Sequence, residues 1–167
     1  MIDQPTQGLK IVRHFNAPQD VVFEAFANAD AMGAWWGPAG MSILVNEFEF
    51  IPGGKFHYKL EANGQIMWGL FRYVSINRPD MIEFISSFSD EQGNICTSPF
   101  PMDFPLEILN IITLTEADGR TTLTLQGHPV NATAAQEQTY ASIKDNMQQG
   151  FSGTFDKLDQ YLDSLNN

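Results

Sequence analysis

Few side chains in this sequence are of the kinds that catalyse or bind metal, and their spacing argues against both roles. The histidines His14, His57 and His128 fall on separate extended segments without a ligand spacing such as HExxH. Cys96 is the only cysteine, so neither a CxxC pair nor an intramolecular disulfide can form. No Walker loop, GxGxxG fingerprint or GxSxG elbow is present. The expectation is a chain with no catalytic residues, no metal and no other cofactor. What remains is neutral polar chemistry. Strand alternation turns Tyr58, Tyr73, Ser86 and Asn110 inward, where each needs a hydrogen-bond partner. Those partners are one another, buried water, or a mostly apolar ligand that they orient. Proton transfer by the same groups needs an acid or base of suitable pKa beside them, and the alternation turns no Asp, Glu or His inward.

The elements that position these groups follow from the apolar pattern. Residues 9–15, LKIVRHF, read as a strand. Pro18 suits a first helical turn, and Val22, Phe23 and Phe26 repeat at helical spacing. Asn28-Ala29-Asp30 marks a break and a new cap, so a second short helix spans roughly 30–36 and stops at Gly37-Pro38. It carries Trp35 and Trp36, whose side chains point about 100° apart. One packs against the sheet, and the other roofs a pocket beside a later loop. Period two then takes over. Over 43–50, Leu44, Phe48 and Phe50 turn inward. Over 55–61, Phe56, Tyr58 and Leu60 turn inward, with His57, Lys59 and Glu61 outward. Asn63-Gly64 is a hairpin turn. In 65–77, Met67, Phe71 and Tyr73 face in, and Trp68 points out unless a bulge intervenes. In 81–89, Ile82, Phe84, Ser86 and Phe88 face in.

Residues 90–105, with the stretch SPFPMDFP, form a loop of a length usually tied to function or mobility. Strands over about 106–115 and 120–128 turn in Ile108, Asn110, Ile112, Leu114, Leu123 and Leu125. One long helix ends the chain. It opens with a capping box at Thr133 and Gln136 and carries an apolar stripe of Tyr140, Ile143, Met147, Phe151, Leu158, Leu162 and Leu165. Gly150 and Gly153 interrupt the stripe, which suggests a close backbone approach, a bend, or room for a ligand.

This order defines an α+β fold of one domain over residues 1–167. A curved antiparallel sheet with one apolar face needs a cover, and only the C-terminal helix is long enough to supply it. Bulky side chains at both ends of such a sheet leave a gap in the middle. The ligand-binding residues expected around it are Trp35, Trp36, Phe48, Phe56, Tyr58, Phe71 and Tyr73 from the first half of the chain. Phe84, Ser86, Phe88, Asn110, Met147 and Phe151 come from the second. A formal net charge of −11 argues against nucleic acid and anionic membrane as partners. No run reaches the roughly 18 apolar residues of a membrane span, and MIDQPTQGLK lacks an apolar signal core, so a cytoplasmic protein is expected. The loop stretch SPFPMDFP is a surface that a second copy could cover, as in a homodimer.

Five segments occur in order over essentially residues 9–165: HFNAPQDVVFEAFANADAMGAWWGP, PGGKFHYKL, WGLFRYVSINRPDMIEFISSFSDEQGN, LNIITLTEADGRTTLTLQG and MQQGFSGTFDKLDQYL. Together they resemble the START-like helix-grip superfamily (SRPBCC). Within it, they resemble the single-domain proteins grouped with the C-terminal domain of the activator of the 90-kDa heat-shock-protein ATPase. The resemblance implies two short helices after the first strand, a curved antiparallel sheet wrapped around a long C-terminal helix, and a cavity for a small hydrophobic or aromatic molecule. The superfamily also includes polyketide cyclases and co-chaperone domains. It therefore implies two alternatives: a cyclase-like enzyme acting through Tyr58, Tyr73 or Asn110, and a protein-interaction module of the heat-shock-ATPase-activator type. Family members often carry Gly-Trp in the last helix where this chain has Gly150-Phe151, which implies a roomier wall.

Overall fold

The computed structural model describes residues 8–38 and 40–165. Strand β1 (Leu9–Phe15) leads into the short helices α1 (Gln19–Ala27) and α2 (Ala29–Trp35). Six strands follow: β2 (Ser42–Phe48), β3 (Lys55–Ala62), β4 (Gln65–Asn77), β5 (Met81–Ser89), β6 (Ile108–Ala117) and β7 (Arg120–Pro129). Helices α3 (Ala134–Ser142) and α4 (Lys144–Ser164) complete the chain. All seven strands pair antiparallel in one sheet of order β1-β7-β6-β5-β4-β3-β2. Helix α4 packs on the apolar face of this curved sheet against β1, α1 and α2, which is the expected helix grip.

Local chemistry accounts for most boundaries. Pro18 precedes α1 as its N-cap instead of lying in its first turn, and its carbonyl accepts the Val21 and Val22 N–H groups. The Asn28 side chain accepts from Ala31 N–H and starts α2. Between β3 and β4, Asn63 and Gly64 both take left-handed φ, 54° and 79°, the two-residue turn whose twist matches the flanking strands. Thr133 and Gln136 form the expected reciprocal capping box.

Several expectations are corrected. First, Leu44 does not face the core but is 53 % exposed. The register of β2 on β3 slips between Val45 and Glu47, so Asn46 is an inserted bulge residue. Ile43 and Val45 face the core before the bulge, and Phe48 after it. Counting back by twos from Phe48 through the bulge reaches the wrong face. Second, His57 does point away from the core, but it is only 2 % exposed. The loop after β5 covers it. Third, the C-terminal helix is two helices, broken at Ile143 with φ −113° and ψ 16°. The break does not fall at a glycine. Gly150 has open space where a Cβ would sit, so no close approach explains it. Leu165, placed on the apolar stripe by its spacing, is 51 % exposed.

Candidate ligand cavity

The interior is filled at one end of the strands and hollow at the other. The filled end holds Phe15, Phe23, Phe26, Trp35, Ile82, Leu123, Phe155 and Leu158 in one buried cluster. Burying each of the large apolar side chains contributes about 1.5–3 kcal/mol. At the other end, a cavity of about 220 Å³ lies between β3–β6, the start of β1, α3 and the first turns of α4.

The paired tryptophans sit at the boundary and divide the work differently from the sequence expectation. Trp35 packs between helices, its ring 4.9 Å from Phe26 and 6.4 Å from Phe155, and its indole N–H donates to Ala25 O at 2.9 Å. Trp36 is the one that meets the sheet. Its ring lies 5.1 Å from Phe71 and 6.3 Å from Phe151 of α4, and it forms part of the cavity wall. The turn that follows fastens α4. Gly37, at φ 100°, presents its carbonyl to Thr154 Oγ1 and Lys157 Nζ, each at 3.0 Å.

Of the other residues expected at the site, Tyr58, Phe71, Phe84, Ser86 and Phe88 line the cavity from the sheet. Asn110 adds an amide from β6, and Met147 and Phe151 close the wall from α4. Trp35, Phe48, Phe56 and Tyr73 do not reach it. They belong to the filled end, where Phe48 packs on Phe56 at 5.3 Å and Tyr73 on Phe50 at 5.0 Å. Burial and the neighbouring Tyr58 push the Tyr73 phenol far above its usual range.

Several wall residues lie outside the expected set. Leu60, Met67 and Ile108 face inward as their alternation requires, and they line the cavity by their position along the strand. Gly69 lies opposite Tyr58 in the β3–β4 register, and the Tyr58 ring rests on its Cα; a Cβ there would fall 2.3 Å from the ring. Gly127 faces Asn110 in the same way, with Asn110 Oδ1 3.0 Å from the Cβ position. A glycine inside a strand signals such close approach, but one chain alone does not say what approaches.

Tyr140 joins the wall from α3. Its hydroxyl donates to Gly127 O at 3.1 Å and receives the Leu9 backbone N–H. Burial raises the Tyr140 pKa to about 12. Burial also raises Tyr58 to about 12, against a smaller opposing effect of its hydrogen bond with Trp36. Both phenols are therefore neutral near neutral pH. No Asp, Glu, His, Lys, Arg or Cys is among the described wall residues.

The rim is built by the 90–107 loop, which is pinned at both ends. At its start, Asp90 O lies 3.1 Å from His57 Nε2, while Asn46 Nδ2 lies 2.9 Å from His57 Nδ1. An amide nitrogen can only donate, so Nδ1 accepts and Nε2 carries the proton given to Asp90. The Trp68 ring, on the outward side as alternation requires, stacks on His57 at 4.9 Å. At the loop's end, Glu107 pairs with Arg72 and accepts from Asn131. Arg72 Nε and Ser87 Oγ, also on outward strand positions, are buried without a partner among the described residues. Phe104 turns inward over the cavity, 5.8 Å from Phe88 and 6.2 Å from Tyr140.

Among the described residues no group of His, Cys, Asp and Glu is placed to hold a metal ion, and no helix is long and apolar enough to cross a membrane.

A curved antiparallel sheet gripping a C-terminal helix, with an apolar cavity at one end of their interface, defines a helix-grip protein. The chain belongs to the family described as "Activator of Hsp90 ATPase homolog 1-like protein", whose model matches residues 16–163. Solved structures share the fold. A protein from Mycobacterium smegmatis is 26% identical with a TM-score of 0.76, the match covering 94% of this chain and 91% of that one. One from Arthrobacter aurescens is 23% identical with a TM-score of 0.78, covering 98% and 91%. One from Staphylococcus epidermidis is 23% identical with a TM-score of 0.77, covering 98% and 93%. No curated protein sequence matches the chain.

Proposed function

We propose that the protein binds a small hydrophobic or aromatic molecule in the cavity between the sheet and α4. The observation that carries this reading is a wall of aromatic and aliphatic side chains around about 220 Å³, with a few neutral polar groups converging on it. The wall chemistry favours binding over cyclase-like proton transfer. Among the described residues its only titratable groups are Tyr58 and Tyr140, whose pKa values of about 12 lie far from those of a general base working near neutral pH.

The test is to fill the cavity from its helical wall. Met147 is half-buried on α4, and Met147→Trp places a ring in the space while the filled end stays untouched. Titration calorimetry with benzene-sized aromatic probes should show saturable binding to the natural sequence and at least about tenfold weaker binding to the variant. Equal affinity in both proteins would place the binding elsewhere and sink the proposal.

A further inference from the structure

Resting on that binding reading, we infer that the cavity selects a neutral molecule of single-ring size that ends in a hydroxyl group, a phenol or small alcohol, and rejects the matching carboxylate. The ground is what each polar atom in the wall has left to offer. Tyr140 is fully engaged, donating to Gly127 O and accepting from Leu9 N–H. Asn110 uses its amide nitrogen twice, toward Ser86 Oγ at 3.0 Å and Ile108 O at 3.1 Å. The Ile108 carbonyl can only accept, which fixes that end of the amide as nitrogen. Asn110 Oδ1 then lies on the Gly127 side and accepts from no described residue. Ser86 accepts the Asn110 proton and gives its own to no described residue. The wall's unused acceptor, Asn110 Oδ1, thus stands beside an unused donor, the Ser86 hydroxyl, on side chains already joined to each other; Tyr58, which accepts from Trp36, and Ser87 keep further hydroxyl protons that no described residue accepts.

A hydroxyl group satisfies both, accepting from Ser86 and donating to Asn110 Oδ1. A ketone or ether satisfies Ser86 alone and leaves the amide oxygen buried without a partner. A carboxylate sets like dipoles against Asn110 Oδ1 and meets no cation in the described wall, so its charge is buried uncompensated. Size sets the remainder of the molecule. A cavity of about 150 Å³ holds benzene, so by proportion this one suits roughly nine non-hydrogen atoms, a ring with one or two substituents. A sterol or a long acyl chain exceeds it.

The experiment is calorimetry near neutral pH with toluene, 4-methylphenol and 4-methylbenzoate, which share ring and methyl group and differ only in the head. The expected order has 4-methylphenol at least about tenfold tighter than toluene, and 4-methylbenzoate weakest. Asn110→Leu and Ser86→Ala should each cut the phenol preference to about threefold or less while toluene still binds. Thermal melts check that both variants fold. Toluene within about threefold of the phenol, a tightest 4-methylbenzoate, or a preference kept in both variants overturns the hydroxyl inference and leaves the binding reading standing. Binding of none of the three overturns both.

Discussion

Single residues separate the two ends of the interior, and paired substitutions show it. Phe56 is fully buried in the filled end, whereas Phe151 is half-buried on the cavity wall. Phe56→Ala is expected to lower stability by about 3–5 kcal/mol with little change in affinity for an aromatic probe. Phe151→Ala is expected to cost less stability and to change that affinity, with urea unfolding and titration as the two readouts. Gly69 makes a sharper case. A methyl group there would sit inside the Tyr58 ring, so Gly69→Ala drives the phenol into the cavity. The expected cost is about 1–3 kcal/mol, together with lost probe binding, measured in the same two ways. The inward direction of Tyr58, Phe71, Phe84 and Asn110 was legible from alternation. Their neighbours across strands were not, because register depends on where turns and bulges fall.

At the scale of elements, the sequence carried most of the fold. The strand at 9–15, the Asn63-Gly64 hairpin, the break at Asn28 and the capping box at Thr133 all write their chemistry into adjacent residues. The bulge at Asn46 and the break at Ile143 do not. Neither carries a glycine or proline, so no local residue type announces the irregularity. The Asn46 bulge has a visible effect: its side chain reaches His57, which in turn holds the start of the rim loop. His57→Leu keeps the bulk but removes both hydrogen bonds. Limited proteolysis should then cut within residues 90–107 faster than in the natural protein, with the rest of the chain resistant. Unchanged cutting would mean that Glu107, Arg72 and the Phe88–Phe104 contact hold the loop on their own.

For the whole molecule, stability should fall at both ends of the pH scale for separate reasons. Hydrogen bonds from Arg72 and Asn131 lower the Glu107 pKa from 4.5, and the turn N–H groups around Asp90 lower that carboxyl from 3.8. A lowered carboxylate favours the fold above its unfolded value, and that contribution is lost as pH falls through the folded one. The acid limb therefore begins near 4.5, and Glu107→Gln should flatten it. The buried phenols act in the opposite sense. Tyr58 and Tyr140 are raised from 10.0 to about 12, so their contribution is complete below 10.0 and is lost as pH rises toward 12. Tyr58→Phe should shorten the alkaline limb in melting curves taken across the pH range.

The carbonyl of Gly37 reaches only one half of α4. Thr154 and Lys157 are tied to it, and the fully buried residues of the helix begin at Thr154. The turns before them, bearing Met147 and Phe151, follow the break at Ile143 and keep an exposed Gln148-Gln149-Gly150 face. Those turns are held through longer contacts, Lys144 Nζ to Gly8 O and Gln148 Nε2 to Lys10 O, each at 3.5 Å, so they are expected to open at a lower free-energy cost than the segment behind them. Amide hydrogen exchange should be faster over residues 147–151 than over 155–162. Residence time for a bound guest is then governed by how often two helical turns lift away, and not by how tightly the folded chain is held together.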